Sequence, residues 1–322
     1  MKIDLDTNKY FYEVMLSIMF SNSSQNAFDK LSELQSLERK QLFFVGGAPR
    51  SGTTWVQHLI DGHPSASCMG EGLFWRQLYY PLTELVENWR KAIQEKNVTQ
   101  FSHTGGYPLP NEQDRDMLLA TGILGSMQRQ LSRWSDRGAS CQAIGEKTPE
   151  DIFLFLRLRH LFPHARLVVI SRDPRDTLAS AWHMFVQRHR PGEDLSGMME
   201  QFIRDALVPM ERAIRTLFSL LQKDQDACLS ITYERLHTDT AGVLATVYRF
   251  LGLSDEPDTI HASIERSSFS HLSGGRERGV EDKKSFLRQG VVGGWRNTIP
   301  ENMNFIILEA LGWSFPYFEW KP

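Results

Sequence analysis

The chain's 322 residues suffice for one large α/β domain or two small ones, and 41% hydrophobic with 23% charged residues is ordinary for a soluble globular protein. With 36 basic against 39 acidic side chains the net charge is −3, which gives no electrostatic case for nucleic acid or an anionic membrane. Any anion site must therefore be a local cluster of arginine and lysine.

Residues 1–40 read as one or two helices joined by the polar turn SNSSQN, a packing extension without chemistry. They show no basic region followed by an apolar core, so no secretory signal is visible, and Phe11 to Phe20 is too short to span a bilayer. Leu42 to Val45 is a short apolar run bounded by glycines, the pattern of a buried strand. Gly46, Gly47, Pro49 and Gly52 punctuate a loop, and Thr53 to Ile60 continues as a helix with Val56, Leu59 and Ile60 on one face. Leu73 to Arg137 reads as helical and irregular, with helical apolar spacing from Asp116 to Trp134. Its aromatics, Trp75, Tyr79, Tyr80 and Trp89, suit either a substrate pocket or the core, and spacing does not decide between them.

Ala143 to Thr148 reads as a strand running into a loop. Pro149 is suited to open the next helix, Glu150 to Leu161, which should bury Phe153, Leu156 and Leu161. Ala165 to Ser171, ARLVVIS, is a β-branched run of the kind found in parallel strands covered on both faces. A helix follows from Thr177 to Phe185, with Asp176 placed as its N-cap. Leu195 to Gln222 is a long amphipathic helix, Cys228 to Tyr233 a further strand, and Thr240 to Leu251 a helix ended by Gly252. Ile264 to Gly290 mixes charge, serine and glycine and reads as a mobile, solvated segment. Asn302 to Pro322 reads as a terminal helix plus an aromatic plug, and no internal repeat suggests a solenoid.

A strand feeding a helix through a glycine loop aims backbone N–H groups and the positive helix end at one spot, which suits a phosphate. Set against G-x-x-x-x-G-K-[ST], Gly47 and Gly52 are correctly separated and Thr54 fills the hydroxyl position. Thr53 stands where the lysine belongs, and the cation has moved forward to Arg50. The missing lysine argues against ordinary ATP or GTP hydrolysis. Glu71, flanked by glycines, is either a hydrogen-bonding group at a loop end or a base at a cleft. Lys147 leaves the end of a strand, where ligands bind in α/β sheets. None of the 10 histidines forms H-E-x-x-H or pairs with cysteine at ligand spacing, so no metal is expected. Neither G-x-S-x-G nor G-x-G-x-x-G is present. Cys68, Cys141 and Cys228 are odd in number and far apart, which points to a reducing, cytoplasmic setting.

Ala48 to Trp55, APRSGTTW, resembles the 5′-phosphosulfate loop of the sulfotransferases that use 3′-phosphoadenosine 5′-phosphosulfate (PAPS), and the resemblance recurs in order from Gln41 to Asn297. Gly70-Glu71 is similar to the Gly-Glu of the tyrosylprotein branch, whose glutamate is the catalytic base. Lys147 resembles the family's active-site lysine, and Arg172 with Ser180 matches its 3′-phosphate motif. Tyr233-Glu234 and Ser267-Ser268-Phe269 resemble the stretches whose aromatics meet adenine. Arg288-Gln289-Gly290 with Gly294-Trp295-Arg296-Asn297 resembles the block that clamps the 3′-phosphate, with Gln289 in place of lysine and Gly294 in place of aspartate.

The resemblance implies an α/β fold, a single P-loop-like domain with a mostly parallel central sheet flanked by helices. It also implies a helical cap over the acceptor at 73–137 and a cofactor-covering segment at 264–297. Glu71 would be the base, with Arg50 and Lys147 stabilising the transferring group and leaving phosphate. Ser51, Gly52, Thr53 and Thr54 would hold the 5′-phosphate, and Arg172, Ser180, Arg288 and Gly290 the 3′-phosphate. Tyr233, Phe269 and Trp55 would contact adenine, with Ser267 and Gln289 beside them. The histidine of the cytosolic branch is absent, because Pro149 follows Lys147-Thr148; His103 and His183 stand as alternatives to Glu71. The implied reaction is sulfuryl transfer from PAPS, without metal, to the hydroxyl of a small molecule in preference to an amine. No nucleic-acid or membrane partner is expected, and a homodimer is left open. The competing classes are a P-loop kinase or nucleotide hydrolase, which would need Mg²⁺ and ATP, and a non-catalytic nucleotide-binding protein.

Overall fold

The computed structural model describes residues 27–133, 140–190, 192–282, 285 and 287–322. Most of the expected N-terminal extension, residues 1–26, and Trp134 lie outside the described residues. Helix α1 (Ala27–Gln35) leads into strand β1 (Gln41–Gly47), followed by α2 (Thr53–Asp61) and the short β2 (Ala66–Cys68). A π-helical stretch, Phe74–Tyr79, runs into α3 (Tyr80–Gln100), and α4 (Glu112–Arg133) packs back on it. Then come β3 (Ala143–Lys147), α5 (Asp151–Leu161), β4 (Arg166–Ser171), α6 (Pro174–Phe185), the long α7 (Ser196–Lys223) and β5 (Cys228–Thr232). The chain closes with α8 (Tyr233–Thr238), α9 (Thr240–Leu251), α10 (Pro257–Arg266), α11 (Phe269–Leu272), α12 (Glu301–Leu311) and α13 (Phe315–Phe318).

Five parallel strands form one sheet in the order β2-β3-β1-β4-β5. Side chains alternate across the sheet, and both faces are covered. Phe43 and Val45 of β1 join Val168 and Ile170 of β4 under α2 and α9. Leu42 and Phe44 join Leu167 and Val169 under α5, α7 and α12. Burial on both sides is why β1 and β4 read as unbroken apolar runs. The register sets Val45 opposite Lys147, Gly47 opposite Ile170 and Ser171 opposite Thr232, so the carboxyl ends of four strands finish side by side.

Several local expectations are corrected. Helix α5 starts at Asp151 rather than at Pro149, and its inward stripe is Ile152, Leu154, Phe155 and Leu158. Leu156 is 48% exposed because the helical period turns it away from that stripe. The N-cap of α6 is Asp173, whose Oδ1 accepts from Arg175 N–H, with Pro174 at the first helical position. Asp176 lies inside the helix, and its carboxylate accepts from Gly293 N–H (2.7 Å) and Trp295 N–H (2.9 Å). The stretch 264–290 carries more fixed structure than its composition suggests. It holds α11 with a buried Phe269, and Arg276 donates to the carbonyls of Val280, Leu287 and Arg288. One guanidinium thus satisfies backbone groups that would otherwise need water.

Candidate functional site

A cavity of about 610 Å³ opens where the strands end. The loop after β1 supplies Pro49, Arg50 and Gly52, and the start of α2 supplies Thr53, Thr54 and Trp55. β4 is followed by Arg172, α6 adds Asp176 and Ser180, β5 is followed by Tyr233, and the chain from 267 to 294 closes the remaining side. Apart from the alternative bases His103 and His183, all sequence-derived site residues line this one cavity except Ser51 and Lys147. Ser51 sits fully buried beneath the loop, and its hydroxyl has no partner among the described residues. Lys147 reaches the wall through Glu71, with Nζ 2.5 Å from Glu71 Oε1.

The loop is built to leave donors open. Gly52 caps α2 at φ 109°, a left-handed value suited to glycine, and no side chain caps the helix. Trp55 N–H turns back to Gly52 O at 2.9 Å, whereas the N–H groups of Thr53 and Thr54 take no backbone acceptor among the described residues, and the positive helix end faces the cavity. A Cβ on Gly52 would lie 2.6 Å from Tyr233 Cδ2, so the loop also needs glycine to pack against that ring. Arg50 itself has φ 72°, an uncommon conformation for a side-chain-bearing residue.

The wall is strongly cationic in a chain of net charge −3. Arg50 Nε donates to Ser180 Oγ at 3.2 Å, which joins the first loop directly to α6. Arg172 stacks 4.2 Å over the Tyr233 ring, donates to Val291 O at 2.8 Å and reaches Arg50 O at 3.5 Å. Burial lowers the Arg50 guanidinium to about 10, with like charge from Arg172, Arg288 and Arg188 adding to the effect. Burial lowers Arg288 as well, and the Arg172 charge works in the same direction. Arg278 lies 4.6 Å over Trp55, which itself meets Tyr233 edge-on at 5.6 Å. Burial pushes the Tyr233 phenol up.

Sequence reasoning missed Arg76, Arg278 and Glu150. Arg76 and Glu150 form a 2.7 Å ion pair on the cavity wall beside Glu71. Among the described residues of 73–137, Arg76 alone reaches the wall. Trp75 and Tyr79 stack on one another, and Leu119, Ile123 and Met127 of α4 belong to the core. His103 is exposed and His183 buried, and neither lines the cavity. The missed arginines share only their place on the cavity wall, Arg76 from the π-helical stretch and Arg278 from a turn, and no local spacing marks it. Among the described residues no group of histidine, cysteine and acidic side chains could hold a metal ion, and no helix is long and apolar enough to cross a membrane.

Residues 43–257 match the model of the sulfotransferase family. A glycine-bearing loop between the first strand and its helix, on a parallel five-stranded sheet, agrees with that match, and the chain belongs to the sulfotransferase family. It is similar to protein-tyrosine sulfotransferase 1 of Danio rerio, 25% identical over 222 residues, which cover 68% of this chain and 55% of that protein. Sulfotransferase 2A1 of Homo sapiens is 23% identical over 185 residues, covering 52% of this chain and 64% of that one. The chain spans about half the length of the first curated relatives it matches. Its fold is shared with the mouse sulfotransferase SULT7A1 complexed with PAP, at a TM-score of 0.51 and 17% identity, covering 88% of each chain.

Proposed function

We propose that this chain transfers a sulfuryl group from PAPS to the hydroxyl of a small-molecule acceptor. The observation that carries this reading is the crowding of Arg50, Arg172 and Arg288 on one cavity, where mutual repulsion and burial already lower two of the three. Such a wall favours a polyanion, and an adenosine carrying phosphate at both ends of its ribose matches it. When bound, the donor supplies an activated sulfuryl group and a phosphate leaving group.

The residues then divide the work. The uncapped α2 start with Gly52, Thr53 and Thr54 receives the 5′ end. Arg172, Ser180, Arg288 and Gly290 receive the 3′-phosphate, and Tyr233, Phe269 and Trp55 offer aromatic surface to the base. Ser267 and Gln289 complete that wall. Glu71 takes the proton from the acceptor hydroxyl as its oxygen attacks. Arg50 and Lys147 neutralise charge on the transferring group and on the departing phosphate, a service fixed cations perform without reorganisation. Ser51, whose buried hydroxyl has no partner among the described residues, is assigned to the 5′-phosphate with Gly52, Thr53 and Thr54. The single domain is read with 73–137 as the helical cap over the acceptor and 264–297 over the donor, and the three cysteines, all free and buried, suit the cytoplasm.

Thermal shift provides the test. PAP and PAPS should raise the melting temperature without Mg²⁺, and ATP should not. A hydroxyl-acceptor set that includes a tyrosyl peptide should then yield a sulfated product by mass spectrometry. Stabilisation by ATP–Mg²⁺ above that by PAPS, or binding of PAP with no sulfated product, would overturn the reading.

A further inference from the structure

Beneath the turn that carries Glu71 lies a buried polar rung that the proposed chemistry does not use. The β2–β3 ladder ends at Cys68 opposite Gly145. Beyond it, three consecutive residues of the next strand end keep hold of the turn. Lys147 N–H donates to Gly70 O at 3.1 Å. Glu146 Oε2 accepts from Gly72 N–H at 2.7 Å, and Thr148 Oγ1 accepts from Leu73 N–H at 3.1 Å. The Thr148 hydroxyl passes its own proton to Glu146 Oε2 at 3.0 Å. Both side chains are 1% exposed.

The turn needs this support. Gly70 and Leu73 both have φ 53°, and for leucine that conformation costs about 1–2 kcal/mol. Glu71 and Leu73 are exposed, and beyond the Phe74 ring that packs against Gly72 the turn is held by these hydrogen bonds. Two donors converge on one Glu146 oxygen, whose two lone pairs accept both. Asp151, fully buried at the start of α5, contacts Glu146, and its oxygens have no other partner among the described residues. Burial pushes both carboxyls up, and the two titrate as a pair.

We propose that Glu146 is a positioning residue for Glu71: by accepting from Gly72 N–H and the Thr148 hydroxyl, it sets the Gly70–Leu73 turn so that the Glu71 carboxylate meets Lys147 at the cavity wall. The proposal rests on Glu71 acting as the base.

Four variants test it: Glu146→Ala, Glu146→Gln, Thr148→Val and Glu146→Ala combined with Glu71→Gln. Loss of the rung in Glu146→Ala should lower kcat about 100-fold, the effect of a displaced reacting group, and leave PAP affinity within about twofold. Glu146→Gln, whose amide oxygen still accepts and whose NH₂ can meet Asp151, should recover kcat to within about fivefold of the parent. Thr148→Val removes one of the two donors and should lower kcat about tenfold, which keeps the test open should Glu146→Ala fail to fold. Because Glu146 acts through Glu71, Glu146→Ala should add nothing in the Glu71→Gln background. Hydrogen exchange at the Gly72 and Leu73 amides should quicken in Glu146→Ala and stay slow in Glu146→Gln. Parental kcat in Glu146→Ala, multiplicative losses in the double variant, or unchanged exchange at those amides each overturns the proposal. Should Glu71→Gln alone keep its turnover, the base assignment falls, and the exchange measurement still decides whether Glu146 sets the turn.

Discussion

Lys147 Nζ lies 2.5 Å from Glu71 Oε1, although the lysine side chain is 5% exposed and the glutamate side chain 43%. The pair thus runs from the protein interior to the cavity wall. A buried ammonium requires a counter-charge, and Glu71 supplies it while keeping one carboxylate oxygen available outward. If that oxygen is the base, Glu71→Gln should lower kcat by about 10²–10⁴ while PAP affinity moves less than about twofold. Single-turnover sulfation together with a PAP titration separates the two quantities. Turnover close to the parent's would remove Glu71 from the chemistry.

Arg172 gives a prediction about the other end of the donor. Its guanidinium is held between the Tyr233 ring and Val291 O, 4.2 Å from the ring centroid and 2.8 Å from the carbonyl oxygen. Lysine keeps the charge but cannot reproduce that fork. Arg172→Lys should weaken PAP binding by about 1.5–3 kcal/mol, the worth of a charge-assisted hydrogen bond, and weaken binding of adenosine 5′-phosphate much less. Calorimetric titration with both nucleotides reads the difference. An equal loss for both would make Arg172 a brace of the pocket wall and not a 3′-phosphate ligand.

The legible parts of this chain were those whose cause is local. Strands β1 and β4 announced themselves because burial on both faces demands unbroken apolar runs. The β1–α2 loop was readable because glycine, proline and threonine positions fix its geometry within a few residues. Asp176 was misread as a cap because its partners, Gly293 and Trp295, lie more than a hundred residues further on, while Asp173 won the cap through the adjacent Pro174. The aromatics at Trp75 and Tyr79 were undecidable by spacing, since a core face and a pocket face share the same period; packing sent them to one another and to the core. Arg276 and Arg278 hid in a charge-rich stretch where composition suggests solvent. Only the fold shows that one fastens carbonyls and the other stacks on Trp55.

Gly52 should tolerate no side chain. Alanine there would combine a left-handed backbone at φ 109° with a Cβ 2.6 Å from the Tyr233 ring. Gly252, at φ 71° and facing open space at the end of α9, carries the conformational cost alone. Gly252→Ala should therefore cost about 1–2 kcal/mol. Gly52→Ala should cost more by about 1–3 kcal/mol through overpacking, and it should also weaken PAP binding, because the loop and Tyr233 move apart. Urea unfolding of both variants measures the first difference and a PAP titration the second. Equal stabilities would mean that the Tyr233 ring yields freely.

Asp151 gives a prediction with a defined pH sign. Its carboxyl is pushed well above the ordinary 3.8, first by burial and then by the charge of Glu146, with Glu150 and Glu71 adding to it. The folded state therefore holds this proton more tightly than the unfolded chain does. The stability that the group contributes is fully present below the unfolded pKa and is lost as pH rises through the folded one. Asp151→Asn keeps a donor toward Glu146 and cannot ionise, so its melting temperature relative to the parent should climb between pH 4 and pH 8. Scanning calorimetry across that range reads the trend. A difference that is flat, or that shrinks with rising pH, would mean that the folded parent holds no more protons at this pair than the variant does.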